Sequence, residues 1–148
     1  MIKFKDLWYH HPANDNDTNP CFSTESNFEN QCAIRMGVAL QRSGIGITHY
    51  QGATCTTDYN FIPECKEFHP IRVEELIQFI RMKLGSPTAY RNCTYEDFVE
   101  KKGIIVFLNF WGKNNQGDHI DLWDGQSMTY GSRYYFERSM EILFWDVL

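Results

Sequence analysis

The sequence predicts an α+β fold, with N-terminal helices packed on an antiparallel β-sheet built by the second half of the chain. Three observations carry this prediction. Cys32 to Arg42 and Val73 to Leu84 each repeat apolar residues at i, i+3 and i+4 spacing, the pattern of amphipathic helices. Gly103 to Leu108 is a continuous run of β-branched and other apolar residues, the pattern of a strand buried on both faces. His119 to Trp123 then alternates and runs into Asp124-Gly125, a hairpin-type turn.

The remaining elements follow in chain order. Phe4, Leu7 and Trp8 have helical spacing and predict a short first helix that stops before Pro12. Asn14 to Asn19 is rich in Asn and Asp and reads as a polar loop. In the cysteine helix Ile34, Val38 and Ala39 form a stripe beside Cys32, and Ser43-Gly44 is its stop signal. Gly46 to Pro70 shows no clear period and reads as an irregular excursion or lid. Gly85-Ser86-Pro87 ends the second strong helix, and Tyr95 to Glu100 reads as one short helical turn. Trp111 to Gly117 is a Gly- and Asn-rich turn region. Met128 to Tyr135 and Ile142 to Val147 are expected to be further strands.

A chain of 148 residues is expected to be a single domain spanning 1–148. That length buries roughly two-thirds of the unfolded surface, enough for a core without metal or many disulfides. With 43% apolar and 16% aromatic residues, it is not a disordered sequence. The net charge of −5 argues against nucleic acid as the main partner. No apolar run approaches the roughly 18 residues of a membrane span, so no membrane insertion is expected. Met1 to Pro12 carries charges and histidines where a signal peptide needs an apolar run, so synthesis in the cytoplasm without one is expected. The five cysteines are Cys21, Cys32, Cys55, Cys65 and Cys93, an odd number that leaves at least one unpaired within the chain. Cys55 and Cys65 flank a loop-like segment and are either a disulfide or two separate thiols. There is no C-x2-C pair, and no metal or cofactor is expected.

Cys32 stands at the start of its helix, where free N–H groups and the positive dipole end favour a thiolate. His119 lies far downstream on a strand. A nucleophile first on a helix and a base later on a strand is the order of papain-like cysteine hydrolases. Thiol-dependent amide hydrolysis needs a nucleophile, a proton shuttle, a group that orients the shuttle and donors for the oxyanion. Cys32 and His119 supply the first two. The Cys32 backbone N–H and the Gln31 side chain are candidates for the last. Strand alternation would aim His119 at the helix N-terminus and turn Ile120 and Leu122 to the opposite face. His49 and His69 are rival bases in the irregular region, and His10-His11 reads as a solvated helix end.

The segment from Glu29 to Met36, with its Cys-Ala-Ile-Arg-Met run, resembles the cysteine motif of the fourth family of type VI secretion amidase effectors. The resemblance continues at Ser43-Gly44, Val73 to Pro87 and Lys101 to Val106. It closes at Gly117 to Gly125, which looks like the family's histidine motif. It implies a papain-like fold of the NlpC/P60 type and hydrolysis of the peptidoglycan stem peptide between D-glutamate and meso-diaminopimelate. It also implies export by the type VI secretion apparatus into the periplasm of a recipient cell. The implied partner is a cognate immunity protein that occludes the active-site groove.

The chain departs from the family pattern in two respects. The place of the family's catalytic aspartate falls here on Tyr130, and no acid follows until Glu137. Asp121, two residues from His119 on the same strand face, is the favoured orienting group. Asp124 reads as a turn former, and Ser127, Tyr130 or a backbone carbonyl are the alternatives. The family's small disulfide loop after the histidine motif is absent too, since no cysteine follows Cys93. Arg35 is either a bidentate clamp for a substrate carboxylate or a structural ion-pair partner. Trp111 and Trp123 either border a substrate groove or pack in the core. Two other functions compete: an inactive relative serving as a binding module, and an acyl-transferase or deamidase on the same scaffold.

Overall fold

A computed structural model describes residues 2–17, 20, 31–55, 69–109 and 118–148. The expected Trp111 turn region, most of the Gly46 to Pro70 excursion, and Cys21 and Cys65 lie outside the described residues.

Among the described residues, three helices are followed by three strands, a short helix and a last strand. Helix α1 spans Phe4–His10, α2 spans Cys32–Arg42, α3 spans Val73–Leu84 and α4 spans Tyr134–Arg138. Strands β1 (Thr88–Tyr90), β2 (Gly103–Leu108), β3 (His119–Trp123) and β4 (Glu141–Asp146) form one antiparallel sheet in the order β1-β4-β2-β3. Short 3-10 turns cover Pro12–Asp15 and Tyr95–Phe98. The predicted α+β class is therefore observed, with α2, α3, β2 and β3 where the sequence pattern placed them. Among the described residues, no helix is long and apolar enough to cross a membrane.

Strand alternation sorts the sheet into two faces. Ile104, Val106, Ile120, Leu122, Leu143 and Trp145 join one cluster with residues of α1, α2 and α3. Ile105, Phe107, Trp123, Ile142 and Phe144 join a second, aromatic cluster with Phe98 and Phe136. Both faces are covered, which explains why β2 reads as an unbroken apolar run rather than an alternating one.

Helix α2 is the centre of the larger cluster. Every residue from Cys32 to Leu40 is buried, because α1, α3 and β3 all pack against it. Each fully buried Ile, Leu or Met in that helix stabilises the fold by roughly 1.5–3 kcal/mol. Its end is a Schellman motif. Gly44 takes φ 94°, its N–H reaches Gln41 O at 3.1 Å, and Ile45 N–H reaches Leu40 O at 2.9 Å. Glycine suits that left-handed position, and Ile45 then packs on the cluster.

One expectation is corrected. Met128 to Tyr135 is not a strand: Met128 makes a single bridge to Trp123, and α4 begins at Tyr134. The reason is Asp121, whose carboxylate takes the amide hydrogens of Thr129, Tyr130 and Gly131. Amides held by a side chain cannot serve a sheet ladder.

Candidate active site

Cys32 lies in the first turn of α2, buried and free of disulfide bonding. The preceding Gln31 is buried as well and accepts the Arg35 N–H through its carbonyl at 2.8 Å, which starts the helix. The Cys32 Sγ also faces the carbonyl of Asp118 at 3.8 Å, just before β3.

His119 opens β3, opposite Phe107, and Asp121 follows it on the same face, opposite Ile105. Ile120 and Leu122 point into the cluster that holds α2. The helix therefore packs on the face opposite to His119, not over it as the sequence suggested. Among the described residues β3 is the outer strand of the sheet, and α2 packs beside it with Cys32 Sγ at the carbonyl of Asp118, the residue before His119. Cys32 and His119 are side-chain hydrogen-bond partners. The other ring atom, Nε2, lies 2.8 Å from Asp121 Oδ2, which leaves Nδ1 for the thiol. The imidazole is wedged edge-on against Tyr135, with ring centroids 4.9 Å apart.

Asp121 is fully enclosed and well supplied with donors. Oδ1 accepts from Leu122 N–H at 2.8 Å, from Thr129 N–H at 3.2 Å and from the Thr129 hydroxyl. Oδ2 accepts from Tyr130 N–H at 3.3 Å and Gly131 N–H at 2.8 Å besides His119. Burial alone would raise its pKa. The hydrogen bond and charge of His119, with the Thr129 hydroxyl, outweigh it, holding the carboxyl well below the usual carboxylate range. For His119, burial favours the neutral ring, but hydrogen bonds and charges from Asp121 and Cys32 prevail and raise its pKa to about 9. The pair is a buried ion pair at neutral pH.

The other sequence candidates fall elsewhere. Asp124 is a turn former, accepting from Gln126 N–H and Ser127 N–H. Tyr130 gives Asp121 a backbone amide, while its ring lies 4.0 Å from the Arg35 guanidinium. Arg35 is buried under that ring. The groove reading of Trp123 is corrected. It is fully buried, donates from Nε1 to Phe98 O at 2.8 Å, and packs on Phe136 rather than lining a groove. His69 sits against Cys55 Sγ at 3.6 Å, not against Cys32. Cys55 is disulfide-bonded, whereas Cys32 and Cys93 are not, and the expected partner Cys65 lies outside the described residues. Among the described residues, no cluster of His, Cys, Asp and Glu is arranged to hold a metal ion.

The family model for "Type VI secretion system (T6SS), amidase effector protein 4" (Tae4) matches residues 28–145. The chain belongs to this family. Several solved Tae4 structures share its fold over the whole chain. The Tae4-Tai4 effector-immunity complex from Salmonella Typhimurium superposes with a TM-score of 0.78 at 21% identity, covering 100% of this chain and 99% of that one. The corresponding complex from Enterobacter cloacae gives 0.76 at 22% identity, with the same coverage. The Enterobacter cloacae effector Tae4 gives 0.75 at 22% identity, covering 100% of this chain and 98% of that one. No curated protein sequence matches the chain. The Tae4 matches carry the mixed fold with its four-stranded antiparallel sheet, while the family model makes the chain a T6SS amidase effector.

Proposed function

We propose that this Tae4-family chain is an antibacterial peptidoglycan amidase of the cysteine class, with an NlpC/P60-type papain-like fold. It hydrolyses the stem peptide between D-glutamate and meso-diaminopimelate. The single observation that carries the reading is the Cys32–His119–Asp121 array, with a thiol at a helix start, an imidazole beside it and a buried carboxylate behind.

The roles follow from the geometry. An imidazolium next to sulfur is the partner a thiolate needs. The Cys32 sulfur attacks the carbonyl carbon of the D-glutamyl side, and the oxyanion is met by the Cys32 backbone N–H and the Gln31 side chain. His119 passes its proton to the leaving nitrogen of diaminopimelate as the C–N bond breaks and a thioester forms. The neutral ring then takes a proton from water, whose oxygen attacks the thioester and frees Cys32. Asp121 remains ionised throughout, holding the ring and stabilising its positive form.

The Tyr130 substitution at the family's aspartate position invites the reading of an inactive relative. Asp121 answers it, because a carboxylate already occupies the orienting position behind His119. The chain is delivered by the type VI apparatus into a recipient periplasm, and its producer carries a cognate immunity protein, as the Tae4-Tai4 complexes suggest.

Mass spectrometry of purified muropeptides after digestion tests the bond. Products with a new D-glutamate carboxyl and a new diaminopimelate amine are expected. Cleavage elsewhere in the stem overturns the bond assignment, and deamidation or cross-linking of protein substrates with intact muropeptides favours the acyl-transfer alternative.

A further inference from the structure

His11 is buried at 1% exposure, although its position at the end of α1 reads as a solvated helix end. It lies before the residues matched by the family model, which begin at 28. Its ring spans two distant parts of the chain. Nδ1 accepts the Ala13 N–H at 3.3 Å, capping the 3-10 turn Pro12–Asp15. Nε2 lies 3.2 Å from Thr129 Oγ1, on the loop that wraps Asp121.

These contacts set a direction of donation. A neutral imidazole has one donor and one acceptor nitrogen. With Nδ1 accepting from Ala13, the ring hydrogen sits on Nε2 and points at Thr129 Oγ1. A hydroxyl has a single hydrogen. Once a lone pair of Thr129 is engaged by His11, that hydrogen goes to Asp121 Oδ1. Asp121 thus keeps Oδ1 saturated and turns Oδ2 to His119. Burial lowers the His11 pKa to about 4, with Asp121 opposing and Arg35 and His119 reinforcing, so the ring stays neutral at working pH.

We propose that His11 is a positioning residue for the Asp121–His119 pair, acting through the Thr129 hydroxyl. The inference rests on the reading of Cys32, His119 and Asp121 as the reacting group. It adds an N-terminal element to a site otherwise built from α2, β3 and the loop after it.

The test compares wild type with His11→Asn, His11→Gln and Thr129→Val. An Asn side chain reaches only as far as Nδ1 and keeps the cap of Ala13 while losing the donor to Thr129. A Gln side chain carries an amide N–H to the Nε2 position and restores it. Two quantities are read: kcat and KM on muropeptides, and the His119 ring titration by NMR, which needs no turnover. His11→Asn and Thr129→Val are expected to lower kcat roughly tenfold at unchanged KM, the low end for loss of an outer hydrogen-bond partner of an oriented histidine. Both are expected to displace the His119 pKa from about 9, and His11→Gln is expected to recover both readouts. An unmoved His119 titration in His11→Asn overturns the inference, as does equal loss in the Asn and Gln variants. A wild type that cuts no muropeptide overturns the amidase reading instead, and the NMR titration still decides the role of His11.

Discussion

His119 Nε2 stands 2.8 Å from Asp121 Oδ2, two positions apart on the outer strand of the sheet. The carboxylate ties one face of the imidazole to the backbone of the following loop and leaves the other nitrogen to the thiol. Asp121→Asn keeps the shape and removes the charge. An amide also favours the wrong ring tautomer, so kcat/KM is expected to fall roughly a hundred- to ten-thousand-fold. Steady-state kinetics on muropeptides checks this, and a loss under threefold would contradict the role.

The pH dependence follows from two histidines shifted in opposite directions. His119 is raised to about 9, so its contribution to stability is full below its ordinary 6.5 and is lost as pH rises through about 9. His11 is lowered to about 4, so its contribution is full above 6.5 and is lost as pH falls toward about 4. Thermal midpoints measured across this range are expected to peak near pH 6.5 and fall on both sides. Activity is expected to drop above about pH 9, as His119 loses the proton its leaving group requires.

Gly131 gives a steric test of ring placement. A methyl group there would come within 2.8 Å of Tyr135 Cε2 and 3.1 Å of His119 Nε2. Gly131→Ala is expected to push both rings from their seats and to lower kcat roughly tenfold or more, as small misplacements of catalytic groups do. Circular dichroism should show the fold retained. Unchanged kcat would mean that His119 has room the structure denies it.

Trp123 separates packing from chemistry. Trp123→Ala is expected to reduce stability by about 3–5 kcal/mol through the cavity left beneath Phe98 and Phe136. Urea denaturation measures this directly. Whatever protein remains folded at low temperature should keep its KM, because the indole does not reach the surface.

The sequence made the helices and central strands legible because their periods differ. Val73–Leu84 carries its apolar residues at helical spacing, and Gly103–Leu108 carries a run that only a doubly covered strand tolerates. Asp121 was legible for the same reason, since residues i and i+2 of a strand share a face. Strand β1 was missed because three residues, Thr88–Tyr90, carry no measurable period. The segment after Met128 was misread because its fate depends on the carboxylate of Asp121, a contact outside any local pattern. Trp123 was misplaced because the groups that cover it, Phe98 and Phe136, come from elsewhere in the chain. His11 was misplaced on the same ground, its partner Thr129 lying 118 positions away.

Digestion of purified peptidoglycan by wild type and by folded Cys32→Ala bears most directly on the whole account. Release of muropeptide fragments by the wild type and none by Cys32→Ala is the predicted result. Equal release by the two proteins would contradict it, because the sulfur beside His119 would then have no part in the cleavage.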